Sequence, residues 1–192
     1  MQRRNQTKNQ SWDNVAPWYD KLTGNSGQYF HEHVIFQNVT RLLNVQKDDR
    51  ILDLACGQGA YSRELAKQGA RVTGVDSSKN LLDRAAHYKS ENIEYVLDDA
   101  RNLHKLSGTH FDAAVSILAL QNIDPLDSLF TNVSKLLEHN GAFVIVILHP
   151  ILRSPRITGW EEDPNRKIQF RRIDRYVTSM KIPITMHPGK TQ

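Results

Sequence analysis

The stretch Arg50–Gly59, RILDLACGQG, constrains this chain more than any other. A short apolar run with an acid inside it, Asp53, breaks into Gly57-Gln58-Gly59. The run reads as a buried strand and the glycines as a tight turn feeding a helix. Glycine at such a turn accepts positive φ and lets a ligand approach the main chain. Downstream, strand-length apolar segments alternate with helical ones: strand 51–55, helix 60–68, strand 71–75, helix 78–89, strand 93–97, strand 111–117, helix 126–138 and strand 142–148. Repeated strand–helix–strand units imply right-handed crossovers and a doubly wound, mostly parallel α/β sheet. Ligands of such sheets sit at the carboxyl ends of the strands, where strand order reverses.

The pattern adds two more acids in matching places. Asp76 ends the second strand, about 20 residues beyond the glycine turn, the offset of an acid that takes a ribose hydroxyl in nucleotide-binding α/β folds. Asp99 follows the third strand. Helix 126–138 carries the clearest stripe: Leu126, Leu129, Phe130, Val133, Leu136 and Leu137. Asp124 is placed to cap it, Pro125 suits its first turn, and Asn140-Gly141 is placed to end it.

Ahead of the first strand, Trp12, Val15, Ala16 and Tyr19 have helical spacing over 11–22, and Gly24–Gly27 breaks that helix. A second helix is expected from about Tyr29 to Leu43, with Phe30, Val34, Val39, Leu42 and Leu43 facing inward. Residues 1–10 are polar and basic with no apolar core behind them, and read as a disordered tail. After His149-Pro150 the alternation is lost. Residues 151–192 mix prolines and arginines with short β-like pieces (IQFRRI, RYVTSM, IPITM).

The 192 residues suit one domain with a real core. A single cysteine, Cys56, excludes a disulfide framework and favours a reducing, cytoplasmic setting. No apolar run approaches the roughly 18 residues of a membrane span. The net charge is +4. The basic excess lies at the ends, in Arg3, Arg4 and Lys8 and in Arg166, Lys167, Arg171, Arg172 and Arg175. A solvated basic face is the commoner origin of such a pattern, so nucleic acid is not the expected partner. His31, His33, His87, His104 and His110 lack metal-ligand spacing, and no metal is expected.

The motifs over residues 50–101 resemble the class I S-adenosylmethionine-dependent methyltransferases, of the small-molecule type similar to the ubiquinone/menaquinone methyltransferase-like group. The resemblance extends over roughly 12–150. It implies a Rossmann-like fold with an N-terminal helical cap (11–48), an S-adenosylmethionine-binding core (49–150) and two further closing strands, which in 151–192 are either short and irregular or missing. Asp53, Ala55, Cys56, Gly57 and Gly59 match the glycine-rich loop against the amino-acid half of the cofactor. Asp76 matches the acid that accepts both ribose hydroxyls, and Ser77 follows it beside the adenine. Asp98-Asp99-Ala100-Arg101 match the segment whose second position accepts from the adenine amino group; Asp98 stands where glycine is usual. Leu118 to Asn122, Gln121 among them, match the stretch that faces the methyl-bearing sulfonium. Tyr19 is the candidate aromatic of the cap, with Tyr29 and His33 as second choices. His149, at the end of the fifth strand, points toward the substrate mouth; Tyr19 and His149 are the candidates for catalysis.

The implied activity is methyl transfer to a small-molecule O, N or C nucleophile, with release of S-adenosylhomocysteine. Three rivals are weighed. An NAD-dependent oxidoreductase needs a third glycine where Ser62 stands. A phosphate-binding loop lacks its Gly-Lys-Ser/Thr. A non-catalytic cofactor-binding or assembly module follows if the terminal strands are absent, in which case an open sheet edge calls for a homodimer.

Overall fold

The computed structural model describes Trp12, residues 29–149 and residues 158–178. The chain divides into two compact units, Met1–Val146 and Ile147–Gln192.

In the first unit, β1 (Arg50–Leu54), β2 (Arg71–Asp76), β3 (Ile93–Leu97), β4 (Phe111–Ile117) and β5 (Leu137–Val146) form one sheet in the order β3-β2-β1-β4-β5. Every pairing is parallel. This is the doubly wound parallel sheet read from the alternation, and it matches the Rossmann-like fold that the resemblance implies. Chain order reverses at β1, which has β2 on one side and β4 on the other. The crevice beyond the carboxyl ends of β1 and β4 is therefore the ligand position of a doubly wound sheet.

The apolar run of β1 is long because both of its faces are covered. Ile51 packs with Ile35, Phe36, Val39 and Leu43 of the N-terminal helix and with Tyr61 and Leu65 of α2 (Ala60–Lys67). Leu52 and Leu54 point the other way, onto Leu129, Val133 and Leu136 of α4 (Leu126–Leu136). Between these lies α3 (Lys79–Ala85), capped by Ser78 Oγ, which accepts from the Leu81 N–H. It stops short of the expected residue 89, in a turn at His87 and Tyr88.

The N-terminal helix corrects the expected inward set. A π-helical segment, His31–Phe36, runs directly into α1 (Gln37–Leu43). The wide turns of a π segment slip the apolar stripe relative to a 3.6-residue period. Ile35 and Phe36 are buried with Val39 and Leu43, whereas Phe30, Val34 and Leu42 are exposed. The helix expected over 11–22 lies, except for Trp12, outside the described residues, as does Tyr19.

Two expectations at the ends of α4 are also revised. Pro125 occupies the N-cap position without a side-chain bond, and Asp124 acts through its carbonyl, which accepts from Arg101 Nη1 at 3.1 Å. Asn140-Gly141 does not end the helix. The chain passes from Leu136 straight into β5, and Asn140 takes φ 68° where the β4–β5 register shifts. Between the pairs Phe111↔Leu137 and Ala113↔Ala142, β5 carries three more residues than β4, and the strand absorbs them as an irregularity without a break. Leu126 and Phe130, placed on the buried stripe, are partly exposed.

In the second unit, β6 (Thr158–Asp163) and β7 (Ile168–Ile173) pair antiparallel with each other. IQFRRI is thus a strand, β6 was not anticipated, and RYVTSM turns at Arg175–Thr178 instead of extending. IPITM lies outside the described residues. Among the described residues, β5 pairs with β4 alone.

Candidate cofactor site

The turn after β1 is built from left-handed backbone: Ala55 at φ 58°, Gly57 at 57° and Gly59 at 76°. The Cys56 N–H donates to the Val75 carbonyl at 3.0 Å, and the Gly59 N–H to the Cys56 carbonyl at 3.0 Å. Gly59 is then the N-cap of α2. The loop lies against the end of β2 and opens into a helix N-terminus.

Asp76 joins the two. It is buried at the last position of β2, and its Oδ2 accepts from the Gly57 N–H at 2.8 Å while Oδ1 accepts from the Ser78 N–H at 2.8 Å. A carboxylate offers about four acceptor sites on its two oxygens, the chemistry that a ligand with two adjacent hydroxyls requires. Ser77 is exposed beside it, and the cap of α3 falls to Ser78.

Asp53 sits under the loop, 3% exposed, and accepts from Ser62 Oγ of α2 at 2.6 Å. Burial pushes its carboxyl up to about 6, against the opposing pull of the Ser62 hydrogen bonds. Ser62, at the position that rules out the three-glycine fingerprint, is thus the donor that satisfies the buried acid. Burial likewise drives the Cys56 thiol well above its ordinary value, with Asp53 and Asp76 adding to the effect. A thiol so shifted stays protonated and is a poor nucleophile.

The third acid is engaged differently. Asp99 Oδ1 accepts from the Arg101 N–H and Nε, both at 2.9 Å, and Oδ2 accepts from Arg101 Nη2 at 2.5 Å. That fork holds the Asp99 carboxyl below the usual carboxylate range. Asp98 is a loop builder: its oxygens accept from the Asp99 N–H at 2.7 Å and the Lys105 N–H at 2.8 Å. Ala100 is buried in the apolar cluster with Leu103 and Leu129. At the end of β4, Leu118 has φ 53° and its N–H donates to the Val146 carbonyl at 2.8 Å, while Gln121 Nε2 donates to the Leu118 carbonyl.

Three further candidates have ring neighbours of their own. Tyr29 and His33 stack on one another, ring centroids 4.0 Å apart, with Tyr29 exposed. His149 belongs to the second unit, where its ring stacks at 6.3 Å on Tyr176. Residues the motif reading passed over are Arg63 and Tyr95. Arg63 Nη1 donates to the Gln58 carbonyl at 2.7 Å and its guanidinium lies over the Tyr88 ring. Tyr95 is placed by sheet register, opposite Gly74, which a linear motif does not carry. Among the described residues no group of His, Cys, Asp and Glu is placed to hold a metal ion.

A parallel sheet whose reversal point carries a left-handed glycine loop and an acid fixed across it defines a nucleotide-type cofactor domain. The particular class follows from the comparisons. Residues 52–145 match the family model described as a methyltransferase domain, and they form a class I S-adenosylmethionine-dependent methyltransferase domain. The sterol 24-C-methyltransferase erg-4 of Neurospora crassa is 29% identical over 119 residues, 59% of this chain and 30% of that protein. The ubiquinone biosynthesis O-methyltransferase of Coxiella burnetii is 34% identical over 98 residues, 50% of this chain and 42% of that protein. A solved S-adenosylmethionine-dependent methyltransferase from Mesorhizobium loti superposes with TM-score 0.63 at 33% identity, over 74% of this chain and 64% of that one. The chain thus spans less than half the length of those two curated relatives.

Proposed function

We propose that this chain transfers a methyl group from S-adenosylmethionine to a small-molecule O, N or C nucleophile and releases S-adenosylhomocysteine. The observation that carries the reading is Asp76: a buried carboxylate anchored by two backbone N–H groups at the end of β2, directly across from the glycine turn. The donor set fits the cofactor. Asp76 supplies acceptors for the ribose hydroxyls, Gly57 and Gly59 leave the loop backbone open to the amino-acid half, and Asp99 supplies an acceptor for an exocyclic amine.

Bound here, S-adenosylmethionine supplies an electrophilic methyl on a cationic sulfur. The chain's own contribution is alignment and exclusion of water rather than acid–base chemistry. Asp53, Ala55 and Cys56 shape the loop's floor, Asp76 and Ser77 fix the ribose end, Asp98 to Arg101 form the adenine rim, and Leu118 and Gln121 line the far wall. Tyr29 and His33 are the described candidates of the helical cap over it, and the first-choice aromatic, Tyr19, lies outside the described residues. A general base is needed only where the acceptor must lose a proton, and His149 is the candidate for that role.

The sterol and ubiquinone-pathway relatives support a small-molecule acceptor rather than nucleic acid. The lone cysteine, Cys56, favours a reducing, cytoplasmic setting. Among the described residues no helix is long and apolar enough to cross a membrane. Among the described residues β5 pairs with β4 alone, and a homodimer that covers this edge belongs to the proposal.

Calorimetric titration with S-adenosylhomocysteine, with NAD in parallel, tests the reading. Micromolar binding of the first and none of the second is expected, followed by turnover with small acceptors. Binding of NAD alone, or of neither, overturns it.

A further inference from the structure

A row of residues runs across the sheet under the glycine loop. Val115, Asp53, Gly74 and Tyr95 are successive register partners on β4, β1, β2 and β3. Residues in one such row face the same side of a sheet. Gly74 has no side chain, and the Tyr95 ring uses that gap: a Cβ on Gly74 would lie 2.9 Å from Tyr95 Cδ1 and 3.0 Å from Cys56 Sγ. The ring's far end reaches the loop. A Cβ on Gly59 would lie 2.1 Å from Tyr95 Oη and 2.7 Å from Cζ. The phenol is therefore packed between the floor of β2 and the last glycine of the turn. Its Oη is buried, with no partner in hydrogen-bond geometry among the described residues, and burial pushes the phenol up to about 12.

We propose that Tyr95 is a positioning residue for the cofactor: a post on which Gly59 rests and which sets the height of the Gly57–Gly59 loop. This deepens the methyltransferase reading and rests on it for the ligand. The chemistry is steric. Gly59 is held at φ 76°, and two contacts restrain the residues around it: Arg63 grips the Gln58 carbonyl from α2, and the Tyr95 ring closes the space on the Cβ side of Gly59. Asp76 holds the other end of the loop through the Gly57 N–H. Removal of the post opens space that the loop can sink into, and the loop N–H groups then leave the height that Asp76 and Arg63 define. The same geometry accounts for Gly74: its φ is ordinary for a strand, so the ring, not the backbone, forbids a side chain there.

The test compares Tyr95→Leu, Tyr95→Phe and Gly74→Ala with the unaltered chain. Three quantities are read: the dissociation constant for S-adenosylhomocysteine, the melting temperature, and the ¹⁵N amide signals of Gly57, Gly59, Gly69 and Gly108 in the ligand-free protein. Tyr95→Leu is expected to raise the dissociation constant about tenfold or more and to shift or broaden Gly57 and Gly59 while Gly69 and Gly108 stay in place. Tyr95→Phe keeps the ring and is expected to recover most of the affinity. In Gly74→Ala the new methyl lifts the ring into Gly59 and moves the same two signals. A fall in melting temperature with unchanged affinity and unmoved Gly57 and Gly59 signals overturns the proposal and makes Tyr95 a filler of the core. If the unaltered chain does not bind S-adenosylhomocysteine, the methyltransferase reading fails, while the amide signals still decide whether Tyr95 holds the loop.

Discussion

The Asp76 carboxylate accepts a hydrogen bond from the Gly57 N–H at 2.8 Å, and that contact ties the end of β2 to the turn that follows β1. The second oxygen is occupied by the Ser78 N–H at the start of α3. One side chain thus fixes two ligand-facing loops in relation to each other.

Asp76→Ala is accordingly expected to weaken S-adenosylhomocysteine binding by about 1.5–3 kcal/mol, the range for hydrogen bonds to a charged group, or about ten- to a hundredfold in dissociation constant. Calorimetric titration checks this. Asp76→Asn is expected to lose nearly as much, because one oxygen becomes an amide donor facing a backbone N–H. An unchanged constant in both variants removes Asp76 from the site.

Asp53 gives a pH dependence of definite sign. Its folded value of about 6 lies above the ordinary 3.8, so between these the folded chain holds a proton that the unfolded chain has lost. Stability therefore falls as pH rises from about 4 to about 6, by up to about 3 kcal/mol at 1.36 kcal/mol per unit. Asp53→Asn removes this contribution. Urea unfolding at pH 4, 5, 6 and 7 is expected to show the variant gaining on the unaltered chain over that window. A difference that is constant with pH overturns the assignment.

The two faces of α4 separate core from surface. Leu129 is fully buried in the cluster that holds Leu52, Leu54 and Ala114, whereas Phe130 beside it is 41% exposed, its ring edge-on to Phe143 at 6.2 Å. Leu129→Ala is expected to cost about 2–5 kcal/mol through lost burial and the cavity left behind. Phe130→Ala is expected to cost clearly less, and thermal or urea unfolding of the pair checks the order.

What was legible in the sequence was whatever local pattern and fixed spacing encode. The five strands and the glycine turn were readable because parallel strands buried on both faces are continuous apolar runs. Asp76 was readable because the length of one strand–helix–strand unit places it. The N-terminal helix was only half legible: its extent followed from periodicity, but the π segment slipped Ile35 and Phe36 inward in place of Phe30 and Val34. Tyr95 was hidden because its meaning is lateral, in a register partner, Gly74, twenty-one positions away along the chain. The β6–β7 hairpin was half hidden, since β7 reads as a strand while β6, TGWEED, is too polar to announce itself.

Arg101 has a role that the sequence displayed without explaining. It stands two positions after Asp99, and the turn between them folds the guanidinium back onto the carboxylate, while Nη1 reaches the Asp124 carbonyl ahead of α4. The fork orients Asp99 and links the loop after β3 to the loop after β4. In Arg101→Ala the Asp99 carboxyl loses its main stabilising partner and is expected to titrate higher, toward the ordinary carboxylate value, in a ¹³C-carboxyl titration. The sign for stability follows: a depressed carboxyl stabilises the fold above its unfolded value and ceases to do so as pH falls through its folded value, so the variant loses less on acidification. Cofactor affinity is expected to fall about tenfold, near the lower end for one charged hydrogen bond. Arg101→Lys is not expected to restore it, because an ammonium cannot reproduce the two-pronged contact. An Asp99 titration unaffected by both substitutions removes the ion pair from the site.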